Sequence, residues 1–164
     1  MEVPSDLARF LDAQAPVIDT VRAELAAGAK QTHWMWFVFP QLAGLGRSAT
    51  AAHFAIHRLE EARAYLAHPV LGPRLLDCTA LINAVEGRSA HQIFGAPDDL
   101  KFRSSMTLFA QAADNPGPFE AALTKYFAGQ PDSATLSLLV PPPFRSAPQG
   151  RKGRPTPSKG GRGL

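Results

Sequence analysis

The chain lacks several features that mark whole classes of protein. It has one cysteine, Cys78, in 164 residues, which excludes an intrachain disulfide and is typical of a reducing compartment. No apolar run approaches the roughly 18–20 residues that a membrane-spanning helix needs. The first residues include Glu2 and Asp6, where a signal peptide would have basic residues and then an apolar segment. These absences predict a cytoplasmic protein without membrane contact.

Acidic residues are also missing from one part of the chain, residues 141–164. That segment has six Lys and Arg residues and one aromatic residue, Phe144, among many Pro, Gly and Ser residues. Of the 17 basic and 14 acidic residues of the chain, 11 and 14 lie in residues 1–140, so this part carries about −3. A segment with the composition of residues 141–164 cannot bury enough apolar surface to offset its ordering entropy. We predict one folded domain over residues 1–140 and a disordered basic tail over residues 141–164.

Apolar residues at helical spacing, separated by Pro and Gly, fill residues 1–140. Ile18, Val21 and Leu25 form one such stripe, and a stripe of Phe and Met residues follows position 101. Ser89 and Gln92 have the spacing of a capping box. No segment alternates apolar and polar residues convincingly enough to predict a strand. The pattern therefore predicts an all-α protein, a compact orthogonal bundle of short helices.

The most apolar stretch, residues 34–39, contains both tryptophans of the chain. Each large ring removes about 150–250 Å² from water when it is buried, so this stretch must lie inside the fold. We predict a helix that begins near Thr32, is buried all round, and forms the centre of the bundle. Pro40 disfavours helical geometry at Phe39, so the helix should end there.

The same stretch carries a resemblance to a known family. Residues 30–41 read Lys-x-x-His-Trp-Met-Trp-Phe-x-Phe-Pro-Gln, and further matches occur at 44–48, 61–69, 71–75, 93–95, 98 and 101–109. Over roughly residues 5–139 the chain resembles the bacterial family of unknown function DUF1810, some of whose members carry the label calpastatin. The resemblance implies a compact all-α fold and no established activity. Ile18 and Phe54 stand where the family pattern leads us to expect tyrosine, so ligand preference could differ here.

Polar residues at both ends of the aromatic stretch indicate a candidate small-molecule pocket. An aromatic wall with a few convergent polar groups is typical of such pockets. Trp faces accept stacked rings or cations, and Arg and Lys bind phosphate or carboxylate. A histidine there could orient a ligand or transfer a proton near neutral pH. The alternative is that these side chains only cap helices, satisfy loop backbone and fill the core. The candidates are His33 as the catalytic residue and Trp34, Trp36, Gln41, Ser48, Arg74 and Lys101 as ligand-binding residues.

A second group of candidates lies on the helix that contains Lys101. Ser104 and Ser105 share one face with Lys101, so hydroxyl groups and an ammonium could hold an anion. Equally, small residues permit close helix packing, with each hydroxyl bonded to the carbonyl four residues earlier. The sequence alone leaves both interpretations open.

Other motifs favour ordinary structural roles. Residues 44–48 are better explained as a glycine turn than as an anion-binding loop, because no P-loop or dinucleotide fingerprint is present. His53, His57 and Glu60 resemble zinc spacing, but surface histidines explain them better, and we predict no metal and no cofactor. Cys78 lies on an apolar stripe and should be an inert thiol.

Taken together, these patterns favour a protein that binds a small anionic ligand, nucleotide-like or phosphorylated. Whether a reaction follows binding is left open. The alternative from another class is a protein–protein interaction module without catalysis. The basic tail could also attract nucleic acid without sequence preference, although it could equally be a solubilising tail.

Overall fold

The computed structural model describes residues 6–140 and contains ten helices within them. The predicted all-α class is confirmed. The predicted disordered tail over residues 141–164 lies outside the described residues, and the division into domain and tail stays a prediction. Among residues 6–140, no helix combines the length and apolarity that crossing a bilayer requires. The helices are α1 Ala8–Gln14, α2 Ile18–Ala27, α3 Met35–Val38, α4 Ala49–His53, α5 Leu59–Ala67, α6 Leu71–Ala84, α7 Ala90–Phe94, α8 Asp98–Ala112, α9 Gly117–Phe127 and α10 Ser133–Leu139.

The core is built where α5, α6, α8 and α9 pack against one another. Aromatic rings connect these helices: the Tyr65 and Phe109 ring centroids are 5.4 Å apart, and those of Phe109 and Phe119 are 5.9 Å apart. All three side chains are fully buried. Burial of such rings contributes much of the hydrophobic free energy of a small domain. Helix α8 packs against α3, α5, α7, α9 and α10, so it is the central helix of the bundle.

The short aromatic helix α3 differs from the prediction for it. It spans only Met35–Val38 instead of beginning near Thr32, and Trp36 and Phe37 are half-buried, so it is not covered on all sides. The chain before it is held out of helical geometry, since Trp34 has φ −144° and the backbone N–H groups of Gln31 and Thr32 donate to the carboxylate of another helix. The prediction of an all-round buried helix was wrong because it considered apolarity without these competing hydrogen bonds.

Helices α4 and α5 are separated by residues 54–58, which an ion pair holds in place. The Arg9 guanidinium donates to the carbonyl oxygens of His53 and Ala55, both at 2.8 Å, and to Glu61 at 3.1 Å. Glu61 also accepts the backbone N–H of His57 at 2.8 Å. Both charged side chains are buried, and buried ion pairs persist when further hydrogen bonds satisfy them. This arrangement fixes the loop that carries Phe54.

The hydroxyl-rich part of α8 lies inside the bundle. Ser104 Oγ donates to the carbonyl oxygen of Leu100 at 3.1 Å, and Thr107 Oγ1 donates to that of Arg103 at 2.8 Å. Both residues and Ser105 are buried. These contacts follow the pattern in which a hydroxyl bonds the carbonyl four residues earlier, and they fit the close-packing interpretation of this helix.

Candidate functional site

A buried carboxylate, Glu24 on α2, organises the segment that leads into α3. Its oxygens accept hydrogen bonds from Gln31 N at 2.9 Å, Thr32 N at 3.2 Å, Thr32 Oγ1 at 2.8 Å and Trp34 Nε1 at 2.8 Å. Burial alone would raise the pKa of Glu24, but the hydrogen bonds from Gln31, Trp34 and Thr32 outweigh it and lower the pKa below its ordinary 4.5. Sequence reasoning missed this residue. The available signal was a glutamate flanked by the buried Val21 and Leu25 on an apolar stripe.

Trp34 is held inside the protein by this carboxylate. Its side chain is 1% exposed, and the ammonium of Lys30 lies 5.2 Å from the centroid of its ring. A ring covered in this way stabilises the fold. Trp36, which is half-buried, is therefore the tryptophan that a ligand could reach.

Trp36 forms one wall of a small surface pocket between α3, the following loop and α4. The space in and in front of this pocket is about 320 Å³, and most of it is open solvent at the mouth. Its other walls are mostly small or apolar, with one side-chain amide, and the lining residues are Trp36, Gln41, Leu42, Ala43, Gly46, Ala51, Ala52, Phe54 and Ala55.

Backbone hydrogen bonds hold the two sides of this pocket together. Leu42 and Ile56 form an isolated parallel bridge, in which Ile56 N donates to Gln41 O at 2.9 Å and Ala43 N donates to Ile56 O at 2.7 Å. On the far side, Ser48 Oγ accepts the N–H of Ala51 at 3.0 Å and caps α4. Ser48 therefore shapes the pocket wall by capping the helix, and it is not itself among the lining residues.

Two lysines and one aspartate lie beside the tryptophans. Asp98 begins α8, and its Oδ2 is 2.9 Å from Lys30 Nζ while its Oδ1 is 3.4 Å from Lys101 Nζ. Lys101 Nζ in turn lies 5.0 Å from the centroid of the Trp36 ring, within the range of a cation–π contact. Trp36 is thus shared between the pocket and a lysine that comes from a distant part of the sequence.

The family model described as a protein of unknown function (DUF1810) matches residues 4–139. The chain belongs to the DUF1810 family. It is also similar to the conserved hypothetical protein Rv1873 from Mycobacterium tuberculosis, known from a crystal structure, with 59% sequence identity and a TM-score of 0.81. That similarity covers 82% of this chain and 96% of the other. No curated protein is significantly similar to the chain.

Several DUF1810 motif residues that carried the resemblance in sequence meet at this one place. Lys30, Trp34 and Trp36 come from the aromatic block, and Asp98 and Lys101 come from the start of α8. The resemblance implied no activity, and the family description supplies none. The geometry of these residues is therefore the basis for any functional proposal.

Other predicted site residues of this DUF1810 chain lie away from the pocket lining. His33 is exposed on the segment before α3. Arg74 Nη1 donates to Gln14 Oε1 at 3.3 Å, and the Gln14 amide donates to the carbonyl oxygen of Phe37 and to the hydroxyl of Tyr65. Arg74 thus supports α3 from behind through Gln14. Ser104 and Ser105 are buried in α8.

The remaining reactive residues are placed as follows. Within residues 6–140 no group of three His, Cys, Asp or Glu side chains is arranged to hold a metal ion. His53 ends α4 and His57 lies in the loop after it, so a helix boundary separates the pair. Burial raises the pKa of Cys78 to about 11, which leaves the thiol protonated and unreactive near neutral pH.

Proposed function

We propose that this protein binds a small anionic ligand that carries a planar ring, nucleotide-like in outline, at Trp36. The observation that carries the proposal is the position of Trp36. It lines the pocket with Gln41 and Phe54, and its ring also lies 5.0 Å from the Lys101 ammonium. The ring of the ligand would lie against Trp36 at the mouth of the pocket, and its anionic group would pair with Lys101.

The pocket walls support the ring part of the proposal. Trp36 and Phe54 offer aromatic surface, and the alanine residues and Gly46 that complete the lining are small. Aromatic rings pair favourably with other rings in offset or edge-on geometry. The Gln41 amide provides donors and an acceptor for one polar edge of such a ring. Apolar walls with one or two polar groups are typical of small-molecule sites.

Lys101 supports the anionic part of the proposal. The described residues that line the pocket carry no charge, so a charged group of the ligand must find its partner beside them. The Lys101 side chain is 22% exposed, and an ammonium has three N–H donors. Its contact with Asp98 at 3.4 Å leaves donors for a ligand anion.

The indole N–H signals in a proton–nitrogen NMR spectrum test this proposal directly. The chain has two tryptophans, so Trp36 can report binding while Trp34, bonded to Glu24, acts as an internal control. On titration with phenyl phosphate, methyl phenyl phosphate and adenosine monophosphate, we expect the Trp36 signal to shift and the Trp34 signal to stay. Trp36→Phe assigns the two signals.

Matched lysine variants test the anion contact. Lys101→Met should weaken binding by about tenfold, which corresponds to loss of one charge-assisted contact. Lys125→Met is the control, because Lys125 also lies over an aromatic ring, that of Tyr126, and pairs with a carboxylate, Glu86, elsewhere on the protein. Equal effects of the two substitutions, or no shift of the Trp36 signal with any of the three ligands, would refute the proposal.

A further inference from the structure

Asp98 lies between the two ammonium groups that adjoin the tryptophans. It is 2.9 Å from Lys30 Nζ and 3.4 Å from Lys101 Nζ. Lys30 is nearly enclosed, with a side chain that is 7% exposed, whereas the Asp98 side chain is 19% exposed. The shorter and more buried contact is the one to Lys30, so Lys30 is the cation that Asp98 neutralises more completely.

We infer that Asp98 determines the charge of the ligand, and that the site accepts one negative charge at Lys101 and disfavours two. This inference rests on the proposed function and goes beyond it, because binding at Trp36 does not by itself distinguish a monoanion from a dianion. Asp98 would then be a specificity-determining residue that acts through the lysines and does not touch the ring of the ligand.

The charges near the tryptophans support this assignment. Lys30 and Lys101 contribute two positive charges, and Asp98 contributes one negative charge. Glu24 contributes a second negative charge. It belongs to the same cluster because it accepts the indole N–H of Trp34, and Lys30 lies over the ring of Trp34. The four charges cancel. A bound monoanion can use the partly exposed Lys101, but a second negative charge has no further cation in this cluster to offset it.

The Asp98 carboxylate is also close enough to repel the second negative charge of a bound ligand. An anion that bonds to Lys101 Nζ at about 3 Å lies within roughly 6–7 Å of the Asp98 carboxylate, which is 3.4 Å from the same nitrogen. This separation is shorter than the Debye length of about 8 Å at physiological ionic strength. Salt therefore screens the repulsion only in part.

Two phosphate esters that share a ring and differ by one charge test the inference. At about pH 8 phenyl phosphate is a dianion, because its second pKa is about 6, while methyl phenyl phosphate is a monoanion. We expect the wild-type protein to bind the monoanion about tenfold more tightly, and Asp98→Asn to shift the ratio of affinities toward the dianion by about tenfold. Asp98→Glu keeps the charge and should keep the wild-type preference.

Asp99→Asn is the matched control. It removes the same charge one residue further along α8, where the carboxylate contacts His91 at 3.3 Å. The affinity ratio should change less than about twofold, because no contact joins Asp99 to either lysine among the described residues. Circular dichroism checks that each variant is folded, and the wild-type ratio tests the inference even where a variant is not.

The outcomes separate the two proposals. If neither ester shifts the Trp36 signal of the wild-type protein, the proposed function fails and the inference fails with it. If both esters bind with similar affinity, or if Asp98→Asn and Asp99→Asn change the ratio alike, only the charge inference is overturned.

Discussion

Replacing Glu24 by glutamine tests whether one buried carboxylate holds the aromatic segment in place. Glutamine has the same shape but presents an NH₂ group where the carboxylate has an oxygen. Four donors point at this carboxylate, from Gln31, Thr32 and Trp34. In the Glu24→Gln protein the NH₂ group either opposes the Gln31, Thr32 and Trp34 N–H groups, where a buried donor without a partner costs about 1–3 kcal/mol, or it faces the Thr32 hydroxyl and those three N–H groups lose their charged acceptor.

The expected loss is about 3 kcal/mol of unfolding free energy at neutral pH. Hydrogen bonds to a charged group contribute about 1.5–3 kcal/mol each, but bonds that share one acceptor do not add fully. Because the total stability of a small domain is about 5–15 kcal/mol, the effect is easily measured. With a urea dependence of about 2 kcal/mol per molar, the unfolding midpoint should fall by about 1.5 M.

The pH dependence of this difference checks that the charge is the cause. The pKa of Glu24 is lowered in the folded protein, so its stabilising contribution is present above the ordinary value of 4.5 and is lost as pH falls through the folded value. The difference in unfolding free energy between the wild type and Glu24→Gln should therefore decrease as pH falls from about 6 to about 3. Glu60→Gln, at an exposed position, should show no comparable gap. A difference below about 0.5 kcal/mol at neutral pH, or one that does not narrow in acid, would refute the reasoning.

Three further predictions rest on the structure and a fourth on the sequence of the basic tail. Arg9→Met leaves the charge of the buried Glu61 unpaired and should lower the free energy of unfolding, measured with urea, by about 3 kcal/mol. The double variant Arg9→Met, Glu61→Met should recover part of this loss. Gly72→Ala should destabilise by more than about 2 kcal/mol in the same assay, because the added Cβ would overlap a carbonyl oxygen of α5. Cys78 should react with a thiol reagent in urea but not in native buffer, since burial raises its pKa to about 11; fast native labelling would contradict this. Removing residues 141–164 should abolish any salt-sensitive retention on immobilised DNA, whereas unchanged retention would exclude the tail as the cause.

Local sequence signals were sufficient for several helices, although not for the start of α3. Proline, glycine and capping residues lie at the positions that end or begin helices: Ser48 caps α4, and Ser89 and Gln92 form the predicted capping box of α7. The stripe of large apolar residues that predicted α8 is buried. These signals work because helix ends depend on groups within about four residues of one another.

The candidate site could be predicted only in part. Trp36 and Gln41 lie in one short segment, and both line the pocket. Lys101 was also predicted as a site residue, but its shared ion-pair partner with Lys30, Asp98, was not. His33 and Arg74 were predicted to join these residues because of their chemistry, but neither is among the residues that line the pocket.

The sequence by itself determined the helical class, the family and the burial of most of the aromatic segment, because composition and spacing act through local propensity and apolarity. Only the tertiary structure decided that Glu24 binds Trp34 and that Lys30 joins the Asp98–Lys101 pair of α8. Contacts between separate segments, such as these, depend on how the helices pack and on a balance between desolvation and hydrogen bonding. Neither the packing nor that balance can be read from spacing along the chain.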